Sequence, residues 1–436
     1  MKKLIQFILI ISVINIFSCT HKRYSQSSVN NNSKIITDDN KNDAYFLFIS
    51  DIHLDVSQTK TDSTTDTGMD LWNSFKTKID SILGSNKPPA FVICTGDLPA
   101  HYKCDGSCYL TGNKLQKHNT ELSTVFIDLR NLVSKYKIPL YYVPGNNDGI
   151  AGDYYSFANE NQQTPFSLVP DAQNPYPALN VSGSGNIAPC MLSMPHPSIG
   201  YYSALAISGL RVIALNSVIF SNKYESIDGV AQVDAGNEEM NWLAGQLQDA
   251  KTKGQKVYIA MHIPPGTDAY KFDRNKTHYT TWAVLPSAEH SWLKTFLSLA
   301  NEYQTTISGI FYGHTHMDEL RLLYDSTGTN ITEVAISTPG ITPLHGNNPG
   351  FKTVSFNQAT MTIDNFTTYY TTLPITGAWG NNAYSFSDVF NNKPGTDIYD
   401  FIKSQTPGTI NKSINKIYTV MHGAPQYDTN SGMLVK

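Results

Sequence analysis

The sequence predicts an α/β layered domain, and three observations carry that prediction. Short, continuous apolar runs recur along the chain, stretches of helical length separate them, and five of the runs end beside Asp, Asn or His. A run that is apolar at every position suits a strand covered on both faces, as in a sheet flanked by other layers.

The elements follow in order. Tyr45-Phe46-Leu47-Phe48-Ile49 is the first run and stops at Ser50-Asp51. A helix is expected over residues 71–83, and then Phe91-Val92-Ile93-Cys94 leads into Thr95-Gly96-Asp97. A longer helix is expected over residues 115–137, followed by the run 139–143 before Pro144-Gly145-Asn146. Later, residues 257–261 precede His262, and residues 307–312 precede Gly313-His314. After Asp318 the pattern changes: residues 319–324, 333–336, 353–357 and 361–373 read as successive antiparallel strands. The catalytic domain is expected at 43–373. Residues 374–436 are expected to form a small helical C-terminal appendage, with short helices near 387–390 and 414–421. Residues 149–199, rich in Pro, Gly, Asn and Ser, read as a long functional loop.

The N-terminus has a different character. Lys2 and Lys3 precede an apolar stretch over residues 4–17 and then Ser18-Cys19, the pattern of a secretory signal and too short for a spanning helix. Residues 16–19 also resemble a bacterial lipobox, with Cys19 as the lipidated residue. The chain is therefore expected to be exported, either extracellular or, in a bacterium, lipid-anchored at the cell envelope or periplasm. Residues 20–42 are polar and aperiodic and read as a disordered tether between signal and domain. Cys94, Cys104, Cys108 and Cys190 remain, and their spacing leaves the pairing open. Cys94 lies in an apolar run and also reads as a small buried hydrophobe, while Cys104 and Cys108 share a loop suited to a disulfide.

With 436 residues, 40% of them hydrophobic, the chain can bury a core without staples. Its formal net charge is −4 with the signs interspersed, which excludes the basic footprint of a polymeric nucleic-acid partner. No feature calls for an obligate protein partner.

The chemistry lies in where the polar residues fall. Asp51 with His53, Asp97, Asn146, His262, and His314 with His316 all stand just beyond strand-like runs. In open α/β sheets the loops beyond the carboxyl ends of strands gather ligands, so these exits are expected to meet in space. Taken singly, Asp-x-His or Gly-Asp is an ordinary turn and Asn146 an ordinary helix cap. Their joint occurrence at one structural address points to a metal site. Two carboxylates, an amide and four imidazoles exceed what one tetrahedral zinc takes and suit two metals sharing a carboxylate. Nitrogen and oxygen ligands without thiolate fit zinc, manganese or iron.

Asp51-x-His53, Gly96-Asp97, Gly145-Asn146-Asn147-Asp148, His262 and Gly313-His314-Thr315-His316 resemble the calcineurin-like metallophosphoesterase superfamily. Residues 96–101, 262–266, 313–319 and 342–351 are similar to those of the acid sphingomyelinase-like phosphodiesterase branch. The resemblance runs from about Ala44 to the C-terminus, and no saposin-like domain is expected ahead of it. It implies a two-sheet β-sandwich flanked by helices. It also implies that Asp51, His53 and His316 bind one metal, Asn146, His262 and His314 another, and that Asp97 bridges both, with zinc the expected metal. The implied activity is hydrolysis of a phosphodiester, either a sphingomyelin-like phospholipid or a nucleotide or other small phosphodiester, by metal-activated water. A phosphomonoesterase, or a catalytically weak surface lipoprotein that uses the scaffold for binding, are the alternatives. One departure stands out. The family's usual phosphate-contacting histidine is here Asn147, which can hydrogen-bond a phosphoryl oxygen but cannot act as a general acid. His101 is the nearest candidate to protonate the leaving group.

Overall fold

The first strand, β1 (Asp43–Ile49), is apolar at successive positions because its alternate side chains enter two different cores. Phe46 and Phe48 meet Tyr258 and Phe311 in one core, and Leu47 and Ile49 face Trp72, Phe75 and Phe126 in another. The computed structural model describes residues 43–104, 107–169, 178–179, 190–266, 281–282, 291–375, 378–379, 382–393, 395–406, 408–410, 412–413 and 434–436. The expected signal, Cys19, the tether and the helix near 414–421 lie outside the described residues.

Fifteen described strands form two sheets. The first contains β1, β2 (Val92–Cys94), β3 (Leu140–Tyr142), β4 (Ala178–Leu179), β12 (Gly350–Asn357), β13 (Ile363–Tyr370) and β14 (Asn382–Ser385). The second contains β5 (Cys190–Ser193), β6 (Tyr202–Ile207), β7 (Leu210–Ala214), β8 (Lys256–Ala260), β9 (Ile307–Tyr312), β10 (Leu320–Tyr324), β11 (Ile331–Ser337) and β15 (Leu434–Val435). Strands β1, β2 and β3 run parallel, as do β7, β8 and β9.

The two sheets pack face to face through aromatic contacts. Phe46 of the first sheet lies 5.1 Å from Phe311 and 5.7 Å from Tyr258 of the second, ring centroid to ring centroid. Helices α1 (Met69–Leu83) and α2 (Gly112–Tyr136) cover the outer face of the first sheet, with Leu71, Phe75, Ile79 and Leu83 spaced to line one side of α1. Helices α3 (Gln232–Thr252) and α4 (Trp292–Glu302) cover the second through Leu243, Leu247 and Phe296. The result is the expected sandwich between helices.

The late strands depart from a simple run of antiparallel neighbours. β10 and β11 pair with each other, but β11 continues parallel to β9 in the second sheet. The chain then crosses, and β12 pairs antiparallel with β1 in the first. In the C-terminal segment, α5 (Phe386–Phe390) and α6 (Ile398–Lys403) send Phe386, Ile398 and Ile402 into the core between the sheets. The described part of that segment also supplies β14 and β15. No helix among the described residues is long and apolar enough to cross a membrane.

Candidate metal centre

The exits of β1, β2, β3, β8 and β9 turn over the same end of the molecule, and backbone hydrogen bonds stitch them together. The Asp51 N–H donates to the Gly96 carbonyl at 2.9 Å and the His53 N–H to the Asp97 carbonyl at 3.0 Å. The Gly313 N–H donates to the His262 carbonyl at 3.1 Å, and the Thr342 N–H to the Asp51 carbonyl at 3.1 Å. Such close approach needs glycine at two places. A Cβ on Gly313 would sit 2.0 Å from Ser50 Oγ, and one on Gly145 would sit 2.2 Å from Asp97 Oδ1.

Backbone strain collects at the same address. Asp51 (φ 51°), His53 (44°), Asp97 (56°), His314 (70°) and His316 (57°) all occupy the left-handed region. Each such residue costs about 1–3 kcal/mol and persists only where the surrounding structure imposes it, which is typical of functional sites.

Five of the seven expected ligands fall in two overlapping groups, and His316 joins His53 and His101 in a third. Donor atoms of Asp51, His53 and Asp97 lie within 4.8 Å of one another, as do those of Asp97, His262 and His314, so Asp97 belongs to both. Asp97 Oδ2 is 3.4 Å from His53 Nε2 and 3.2 Å from His262 Nε2. His316 Nε2 is 3.4 Å from Asp51 Oδ1. Asn146 Oδ1 lies 3.0 Å from His262 Nε2, while the Asn146 amide NH2 donates to Asp153 Oδ1 at 2.8 Å, which turns its oxygen toward the centre.

The donor set fits a pair of cations. The His53 Nδ1–H donates to the Pro99 carbonyl at 3.0 Å, so the acceptor nitrogen is Nε2, which is buried and takes no hydrogen bond. Burial, with His101 nearby, pulls the His53 imidazole down to about 3, and burial with His345 holds His316 well below its ordinary value. Both are therefore neutral and able to ligate. Burial pushes Asp51 up to about 7, with Asp97 adding to the rise. For Asp97 burial acts upward too, but His262, His53 and the Asn147 N–H outweigh it and hold the carboxyl well below its usual range. Burial would lower His262, yet the Asp97 and Asp51 carboxylates win and raise it to about 9.

A further layer orients these groups. Asp148, fully buried, accepts from the Asp97 N–H (2.9 Å), the Leu98 N–H (2.7 Å), the Gly145 N–H (2.7 Å) and the Tyr142 hydroxyl (2.6 Å), fixing the β2 and β3 exits to each other. On α2, the His118 Nε2–H donates to the Asn147 carbonyl at 2.8 Å, and Glu121 accepts from the Ala100 N–H and the Tyr102 hydroxyl. Asn147 itself leans on the shared carboxylate: its backbone N–H donates to Asp97 Oδ1 at 2.8 Å and its amide to Oδ2 at 2.9 Å.

His101 stacks on His53 at 3.8 Å between centroids, and its Nδ1–H donates to Asp66 at 2.8 Å. Burial would lower the His101 imidazole, but the Asp66 hydrogen bond and charge raise it. Beyond His101, a disulfide joins Cys104 to Cys108, and Cys94 is a buried free thiol. Asp66, Asp153 and His118 escaped sequence reasoning because each reaches the site from a loop or a helix face with no strand exit to mark it. Asp148 sat within the Gly145–Asp148 motif, and that was its only signal.

A model of the calcineurin-like phosphoesterase family matches residues 44–318. Over 336 residues the chain is 27% identical to Sphingomyelinase phosphodiesterase D of Dictyostelium discoideum, covering 74% of this chain and 63% of that protein. It is 25% identical over 321 residues to Cyclic GMP-AMP phosphodiesterase SMPDL3A of Mus musculus, covering 71% and 63% respectively. The match thus spans just under two thirds of either relative. Among solved structures, a dimetal phosphatase from Danio rerio overlaps with a TM-score of 0.44 at 13% identity, over 74% of this chain and 95% of the other.

Proposed function

The chain belongs to the calcineurin-like phosphoesterase family, and from that membership we propose that it is a binuclear-metal phosphodiesterase. The observation that carries this reading is the pair of ligand groups that share Asp97, delivered by strand exits from both sheets. Asp51, His53 and His316 would hold one divalent cation, Asn146, His262 and His314 the other, and Asp97 both, with zinc expected and manganese or iron suited to the same ligands. Bound there, the two cations would supply Lewis-acid stabilisation of the phosphoryl charge and lower the pKa of water.

The chain's own residues do the rest. Asp97 sets the spacing of the two groups, and the Asn147 amide fixes the orientation of that carboxylate. Asp66 holds the His101 imidazole by Nδ1, leaving the Nε2 edge to hand a proton to the departing oxygen. The names of the two relatives bracket the substrate class between a choline phospholipid and a nucleotide phosphodiester.

A panel of chromogenic esters tests the reaction class. Bis(p-nitrophenyl) phosphate and p-nitrophenylphosphocholine are expected to turn over faster than p-nitrophenyl phosphate. A strong preference for the monoester would make the protein a phosphomonoesterase. Full metal content with no turnover of any ester would favour a binding scaffold, the reading that the asparagine at position 147 supports.

A further inference from the structure

The connection between β11 and β12 brings a residue to the centre that the ligand assignment does not use. His345 meets His316 edge to face, at 4.5 Å between centroids and 84° between planes, and meets His101 at 5.3 Å and 76°. With His101 stacked on His53, four imidazoles form one contiguous group. They differ in exposure. The side chains of His53 and His316 are 0% and 2% exposed, whereas His101 is 31% exposed and His345 is half-buried. The inner pair are the proposed ligands of one metal, and the outer pair stand at its mouth.

The outer pair is also built as a unit. Asp66 Oδ1 accepts from His101 Nδ1 at 2.8 Å and from Thr342 Oγ1 at 3.2 Å, so one carboxylate fixes both His101 and the loop that carries His345. The same loop is pinned by the Thr342 N–H on the Asp51 carbonyl, by a Gly346 N–H to Pro343 carbonyl turn at 2.9 Å, and by the Asn347 amide on the Gly340 carbonyl. His53, His101 and His316 bring donor atoms within 4.8 Å of one another, and the His345 ring packs against two members of that cluster.

We infer that His345 is a substrate-contacting residue, which binds a phosphoryl oxygen of the substrate beside His101, at the mouth of the site formed by Asp51, His53 and His316. The inference rests on the phosphodiesterase reading and deepens it. The Asn147 amide is turned to Asp97, and His345 presents an imidazole beside His101 and His316. The ligand chemistry is a phosphate oxyanion, to which an imidazole N–H is a matched donor.

The test uses the full chain loaded with zinc, comparing wild type with His345→Ala and His345→Gln. Three quantities are read: metal content, the affinity for inorganic phosphate by calorimetry, and kcat and KM on bis(p-nitrophenyl) phosphate. Metal content is expected to stay at the wild-type level. Phosphate affinity and kcat/KM are expected to fall by about 10- to 100-fold in His345→Ala, the span of one hydrogen bond to a charged group. His345→Gln, which keeps an N–H donor, is expected to recover part of both. Unchanged phosphate affinity and kcat/KM would overturn the inference, and so would loss of a metal ion, which would make His345 a ligand. Phosphate binding that depends on His345 in a wild-type protein with no diester turnover would sink the proposed function and leave this contact standing. Wild-type protein that binds metal but no phosphate would overturn both.

Discussion

Asp97→Asn is expected to abolish most metal binding and to lower diester turnover by at least about 10²–10³-fold, the scale of losing one preorganised electrostatic contact. Asp97 is the member common to both ligand groups, so its loss weakens both ions where any other substitution weakens one. The change is nearly isosteric, but the chemistry reverses. Asp97 Oδ2 now faces His262 Nε2 and accepts from the Asn147 amide, and an asparagine NH2 at that point would present a donor to those donors. The metal-free protein should still fold, because Asp148 also holds the β2 and β3 exits together and is left in place by the substitution. Circular dichroism of the metal-free variant separates lost ligation from lost fold. Full metal content and full turnover in a folded Asp97→Asn would show that the bridging assignment is wrong.

The second large effect is expected at His101. If His101 protonates the leaving group, His101→Ala costs about 10²–10⁴-fold on esters that release an alkoxide, the usual range of general-acid assistance. On p-nitrophenyl esters, whose leaving group departs unaided, the same variant should be close to wild type. The Asp66 hydrogen bond raises the His101 imidazole above its ordinary value, so the proton is held at a pH where a free histidine would have lost it. Asp66→Asn should therefore lower the rate on alkoxide esters in the same direction and by a smaller factor. Equal losses on both ester classes in His101→Ala would mean that His101 positions phosphate and delivers no proton.

Much of this site was legible in the sequence for a physical reason. A strand buried on both faces must be apolar throughout, so a ligand placed at its exit stands out against the run before it. Asp51, Asp97, Asn146, His262 and His314 all carry that mark. The division of the late strands between sheets carried none. β12 finds its partner in β1, far away along the chain, and strand alternation says nothing about which distant edge a strand joins. Asp66 lay in a polar loop indistinguishable from any solvated turn, and only the fold brings it 2.8 Å from His101. His345 sat inside a motif that resembled the family, yet nothing in its spacing linked it to His316, which it meets through the crossing between the two sheets. The asparagine at position 147 was visible as a departure. That its amide turns inward to Asp97 required the structure.

The central claim is that two cations, held jointly through Asp97, are needed for phosphodiester hydrolysis. Titrating metal-stripped protein with zinc while following bis(p-nitrophenyl) phosphate turnover tests it most directly. The account predicts that activity saturates at two equivalents, with the one-equivalent form largely inactive. Full activity at one equivalent, or turnover in stripped protein that no added metal increases, would contradict it.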